Sequence, residues 1–305
     1  MQVTSSLWLS RTSHCKSSST LGAAKRFDKL KITSICSLKE KMNSITPEIF
    51  AEIKRCLAEI EQENNVRVLF ACESGSRAWG FESQDSDYDV RFIYARPRDW
   101  YLAIDVERKR DVIEVPISDE LDISGWDIRK TLHLFHKSNP PLHEWLISPI
   151  VYIQHGEFAN RLRELAGDSY NPIAAHYHYL RMADKTYRAY LTGEMVRRKK
   201  YFYALRPLLA LAWLENKKGV VPTEFQKLVT GTISDPKLLN EIEELLIEKR
   251  AGKETDEGPR LELIHSFIDS EIERHGQHNQ EPGSRANLNV LNELFRQTLE
   301  NDSPK

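Results

Sequence analysis

Cysteine is sparse in this chain of 305 residues: the four, Cys15, Cys36, Cys56 and Cys72, lie far apart and form no Cys-x-x-Cys pair. Neither a zinc site nor a disulfide framework follows from such spacing, and a reducing interior fits it. Also lacking is any apolar run approaching the ~18–20 residues that cross a bilayer, so no membrane association is expected. Charge of one sign is not in excess, the formal net charge being -2. Near-neutrality argues against wholesale coating of long nucleic acid and requires a local basic patch for any nucleic-acid acceptor. What is present, 40% hydrophobic and 29% charged residues, describes a soluble globular protein long enough for two ordinary domains.

Residues 1–42 differ from the rest. They are rich in Ser and Thr, carry Arg11, Lys16, Lys25, Arg26, Lys29 and Lys31, and reach their first acid only at Asp28. The composition suits an organellar transit peptide, an extension upstream of a start at Met42, or a disordered tail. A cytoplasmic location is expected, or an organellar one if the segment is a transit peptide.

The chain is organised around Glu73-Ser-Gly-Ser-Arg-Ala-Trp-Gly80 and the run Asp85-Ser-Asp87-Tyr-Asp89-Val-Arg-Phe-Ile-Tyr94. An apolar β-rich segment, 66–72, precedes it. After it Tyr88, Val90, Phe92 and Tyr94 alternate with Asp87, Asp89, Arg91 and Ile93, which reads as a second strand. Side chains two apart leave a strand on one face, roughly 6.5–7 Å apart, so Asp87 and Asp89 converge. Two carboxylates that close repel unless a cation lies between them, and hard oxygen ligands suit Mg²⁺, or Mn²⁺, better than a soft metal. Gly75 and Ser76, where the first strand must give way, form a candidate phosphate cradle with Arg77 beside them. A calcium loop fails as an alternative, because an EF-hand counted from Asp85 would place Val90 and Arg96 where Gly and Glu are required.

An apolar strand, Gly-Ser, a short spacer and Asp-apolar-Asp-apolar resemble the DNA-polymerase-β-like nucleotidyltransferase superfamily. The runs Asp122-Ile-Ser-Gly-Trp-Asp-Ile-Arg-Lys130, Ser138-Asn-Pro140 and Glu144-Trp-Leu-Ile-Ser-Pro149 resemble, within it, the predicted nucleotidyltransferases grouped with RNA-repair-associated polymerases. The resemblance covers about 44–225. It implies transfer of a nucleoside monophosphate from an NTP to a hydroxyl, with release of pyrophosphate. It also implies a third acid on a later strand, which alternation in Glu120-Leu-Asp-Ile123 places at Asp122. Asp87 and Asp89 would then hold the nucleotide-bound ion, and Asp122 a second ion near the attacking hydroxyl. Asp127, a rival third acid, is more simply a charge at a helix N-terminus.

The expected fold class is α+β: a small mixed β-sheet nucleotidyltransferase domain over 43–150 with flanking helices, then an all-helical domain over 151–305 closing the nucleotide cleft. Thr46-Pro47 opens an amphipathic helix, and candidate strands lie at 111–117 and 120–123. Asn171-Pro172 opens the helical region, where Arg181, Lys185 and Arg188, then Lys199, Tyr203 and Arg206, recur at helical spacing. Lys199 and Arg206 are the candidate triphosphate grips from this region, though basic stripes are usually solvated faces. The acceptor stays open between an RNA end, a protein hydroxyl and a small molecule. Two other functions compete: a non-catalytic nucleotide-binding regulatory module, and a toxin-antitoxin-type protein that AMPylates its partner.

Overall fold

The computed structural model describes residues 45–83, 85–117, 120–251, 257–277 and 284–300, so the leader expected over 1–42 lies outside the described residues. The first helix, α1 (Pro47–Asn64), has proline at its first position and buries Ile53, Leu57 and Ile60 on one face. It ends where Asn65 takes a left-handed conformation, φ 49°. Then come β1 (Arg67–Glu73), α2 (Gly75–Trp79), β2 (Tyr88–Ala95), α3 (Arg98–Tyr101), β3 (Val112–Glu114) and β4 (Leu121–Asp127). After these lie α4 (Ile128–His136), α5 (Pro140–Leu146) and β5 (Val151–Gln154).

The five strands form one mixed sheet in the order β3-β4-β2-β1-β5. Strand β2 runs parallel to β4, and the other pairings are antiparallel. A parallel neighbour requires a crossover of a dozen or more residues, here the excursion through α3 and β3. Central strand β1 is apolar and wholly buried from Val68 to Cys72, as a strand covered on both faces must be. Edge strand β5 carries no clear alternation and is not predicted by the sequence; its position means that the sheet draws on residues either side of 150.

The rest is helical: α6 (Phe158–Ser169), α7 (Pro172–Tyr190), α8 (Lys200–Glu215), α9 (Phe225–Thr232), α10 (Pro236–Arg250), α11 (Glu262–Gly276) and α12 (Leu288–Glu300). A two-stranded ribbon joins β6 (Met195–Val196) to β7 (Gly258–Pro259). Asn171 caps α7 as its sequence suggests, its side chain accepting from the Ile173 amide.

Apolar side chains gather in two clusters. One is built on α8, whose Leu205, Leu208 and Leu209 are fully buried among residues of α7, α9, α10 and α11. The other joins Phe70, Ile93 and Ile128 to Trp145, Leu162 and Leu291, so α6 and the last helix, α12, cover the sheet. Phe81, just past α2, belongs to the first cluster, stacked on Phe202 at a centroid distance of 5.0 Å. The segment following the candidate cradle is therefore anchored in the helical half. Among the described residues no helix is long and apolar enough to cross a membrane.

Candidate active site

Strand alternation and parallel register together build the acidic face. Asp89 of β2 lies directly beside Asp122 of β4 in the register, so both carboxylates leave the sheet on the same side. Asp127, five residues beyond Asp122, falls on the opposite face. It is almost fully buried, caps α4 by accepting from the Arg129 amide at 2.8 Å, and receives the Tyr101 hydroxyl at 2.8 Å. Asp87 is exposed just before β2, close enough to act electrostatically on Asp89.

The cradle lies against these acids. Gly75 has φ +58°, a region that disfavours any Cβ, and a methyl group there would overlap the Asp89 carboxylate. The Ser74 amide donates to the Asp89 carbonyl at 2.8 Å. From the other side the Asp89 amide donates to Glu73 Oε1, also at 2.8 Å. Glycine is thus required twice over, by backbone conformation and by the carboxylate beside it. Ser76 is buried in the first turn of α2, which ends at Gly80 in a left-handed cap, φ 83°.

Burial displaces the acid equilibria here. Glu73 is fully buried, receives the Tyr152 hydroxyl at 2.5 Å, and has its carboxyl pushed up to about 7, chiefly by desolvation. Asp89 is also raised, first by burial, with Asp122 and Asp87 adding repulsion and Arg91 opposing it. The Arg91 guanidinium joins the two strands: Nη2 donates to Asp89 Oδ1 at 3.0 Å and to Asp122 Oδ2 at 2.7 Å, while Nη1 donates to the Asp122 carbonyl at 2.8 Å.

Among the described residues no three His, Cys, Asp or Glu side chains are gathered closely enough to hold a metal ion. The pair Asp89 and Asp122 nevertheless suits Mg²⁺ or Mn²⁺ by donor chemistry, being two hard carboxylates on adjacent strands with a cationic group already between them. Asp87 is the nearby third acid.

The other predicted binding residues separate. Arg77 is buried, donates to the carbonyls of Ser86 and Asp87 at 2.5 and 3.3 Å, and stacks 3.8 Å from the Tyr88 ring centroid. Its guanidinium braces the loop that carries Asp87. Lys199 stands half-buried at the head of α8, one turn before Tyr203, whose ring meets those of Trp79 and Phe81 at 5.8 and 6.0 Å. Arg206 departs from the expected open cleft: it is fully buried and pairs with Glu144 at 3.0 Å. Helical spacing aligns Arg206 with Lys199, but the leucine-rich packing around α8 encloses that part of the stripe. Arg129 and Lys130, in the first turn of α4, pair with Glu107 and Asp111.

Sequence reasoning passed over Glu73, Arg91 and Glu144. Arg91 was open to detection, since it stands two residues after Asp89 on the same strand face. Glu73 and Glu144 carry no local signal, because their roles depend on partners at positions 152, 179 and 206.

A strand, a glycine-serine turn and an acidic strand pair of this design define the nucleotidyltransferase class within the DNA-polymerase-β-like proteins. The family model described as "RlaP: RNA repair pathway DNA polymerase beta family" matches residues 49–297, and the chain belongs to that family. A protein of Bacillus subtilis (strain 168), the uncharacterised YcgL, is 52% identical over 226 residues, covering 74% of this chain and 85% of YcgL. A solved nucleotidyltransferase-like protein from Exiguobacterium sibiricum 255-15 is 12% identical, with a TM-score of 0.27, over 83% of this chain and 82% of that one. That likeness is too slight to bear on the fold.

Proposed function

We propose that this protein transfers a nucleoside monophosphate from an NTP to a hydroxyl acceptor, releasing pyrophosphate, in a reaction that depends on Mg²⁺ or Mn²⁺. The observation that carries the reading is the register match of Asp89 with Asp122 beside Gly75. Asp89 and Asp122, with Asp87, would hold the metal, whose chemistry is to neutralise charge on the reacting phosphate and lower the pKa of the attacking hydroxyl. The chain's own residues align these groups. Glu73 and Ser74 pin the Asp89 backbone, Arg77 holds the Asp87 loop, and Gly75, having no Cβ, lets the Asp89 carboxylate lie against the cradle backbone.

An RNA end is the acceptor we favour, in RNA end processing or repair. The support is a local basic segment in a chain of net charge -2. Lys185, Arg188, Arg197, Arg198, Lys199 and Lys200 fall between the last turns of α7 and the first of α8; Arg188, Arg197 and Arg198 pair with Asp184, Glu257 and Glu248 at 2.8, 4.0 and 3.2 Å, and the lysines supply the remaining positive charge. The Lys200 ammonium lies 4.6 Å from the half-exposed Tyr190 ring and 4.9 Å from Tyr203. Cations set among aromatic rings are the means by which proteins hold single-stranded nucleic acid. This surface adjoins α2, because Tyr203 also meets Trp79.

The test is incubation with each α-labelled NTP and Mg²⁺ against total RNA and total protein. Wild type should label the RNA pool, and Asp89→Asn should label neither while keeping its circular dichroism and melting temperature. Transfer by the folded variant would refute the assignment of Asp89. Calorimetric binding of a non-hydrolysable NTP with no transfer to any pool would favour a regulatory module, and label in the protein pool would favour AMPylation.

A further inference from the structure

Arg91 is the cation nearest the two carboxylates that the proposed function assigns to a metal. Its Nη2 is shared between Asp89 Oδ1 and Asp122 Oδ2, and its Nη1 reaches the carbonyls of Val90 and Asp122 at 3.0 and 2.8 Å. The side chain is 17% exposed, and the two carboxylates are 29% and 34% exposed. Water therefore reaches the rim, but the space between the acids belongs to the guanidinium. Two carboxylates on adjacent strands would repel without it. With Arg91 in place, the group formed with Asp87 keeps a formal excess of two negative charges, the charge of one divalent cation.

We infer that Arg91 is a resident counter-ion that keeps Asp89 and Asp122 aligned, holds off a bare metal ion, and passes to the nucleotide triphosphate when the NTP arrives with its metal. A guanidinium and a divalent cation compete for the same carboxylate oxygens, so each weakens the other. The triphosphate removes the competition, because its oxygens accept the planar donor fork as well as a carboxylate does. Metal and nucleotide then bind as one coupled unit: each strengthens the other by the same factor. The inference rests on the nucleotidyltransferase reading for the identity of the ligands, and it assigns Arg91 a role in binding metal and nucleotide rather than in making or breaking bonds.

The experiment is a Mn²⁺ titration followed by the free-ion paramagnetic resonance signal, with and without the α,β-methylene analogues of the four NTPs. No turnover is involved, so a failure of transfer and a failure of this inference remain separate results. Wild type should bind Mn²⁺ alone weakly, and an accepted analogue should tighten it by about ten-fold or more, within the usual range for coupled sites. Arg91→Met should bind Mn²⁺ alone about ten-fold tighter than wild type and lose most of the coupling, and Arg91→Lys should fall between. Equal or weaker Mn²⁺ affinity in a folded Arg91→Met overturns the inference. If that variant does not fold, the arginine side-chain nitrogen resonances of wild type decide. The Arg91 signal should shift when Mg²⁺ and an analogue are added together and stay in place with the same Mg²⁺ alone; any other pattern overturns it.

Discussion

Replacing Arg206 by methionine tests whether this residue grips the nucleotide, as its helical spacing suggests, or ties the cradle to the helical half. Its side chain has no exposure and that of Glu144 only 11%. Glu144 Oε1 accepts from Arg206 at 3.0 Å and from the Tyr179 hydroxyl at 2.7 Å, while Oε2 accepts from the Trp79 indole at 3.3 Å. The guanidinium also lies 4.5 Å from the Trp79 ring centroid and donates to the Thr223 carbonyl. Methionine fills a similar volume but leaves Glu144 buried without its cation, which costs about 3–5 kcal/mol. Against a typical total of ~5–15 kcal/mol, that loss should produce a large fall in the urea midpoint at an unchanged slope. The double variant Arg206→Met/Glu144→Gln should lose much less than the sum of the two single changes, because it leaves no unpaired charge. At temperatures where Arg206→Met is still folded, an NTP analogue with Mg²⁺ should raise the melting temperature of wild type and variant alike. A stability loss below about 1 kcal/mol, or strict additivity, would refute the buried-pair account. Loss of the nucleotide-induced shift with stability unchanged would return Arg206 to the triphosphate.

Two further substitutions bear on the cradle. Burial holds the Glu73 carboxyl at about 7 against an ordinary 4.5, so the folded chain keeps a proton that the unfolded chain has lost across that window. The stabilising contribution is complete below the ordinary value and disappears as pH rises through about 7. In metal-free buffer, wild type should therefore lose about 3 kcal/mol relative to Glu73→Gln between those limits; parallel stability curves would refute the account. Gly75→Ala should cost at least ~1–2 kcal/mol through its left-handed backbone alone. It should also abolish transfer, because the added methyl displaces the Asp89 carboxylate; a melting temperature and turnover equal to wild type would refute it.

Much of the architecture was legible because local sterics encode it. Thr46-Pro47 and Asn171-Pro172 open helices where the sequence places them, since proline fixes φ at a first turn, and the Asn171 side chain caps the second helix by accepting from the Ile173 amide. Alternation marks β2. Strand β4 continues to Asp127, beyond the short run 120–123 that alternation suggests. The extension is paid for by its neighbours, parallel β2 and antiparallel β3, whose hydrogen bonds have no counterpart in local pattern.

Read alone, the chain determined that an apolar strand gives way at Gly75-Ser76 to a second strand carrying Asp89, and that helices follow. Only tertiary structure decided that Asp122 neighbours Asp89, that Arg91 lies between them, and that Arg206 turns inward to Glu144. The reason is physical. Periodicity arises from contacts within a few residues, whereas strand neighbours and the buried side of a helix are chosen by packing between segments far apart in the chain.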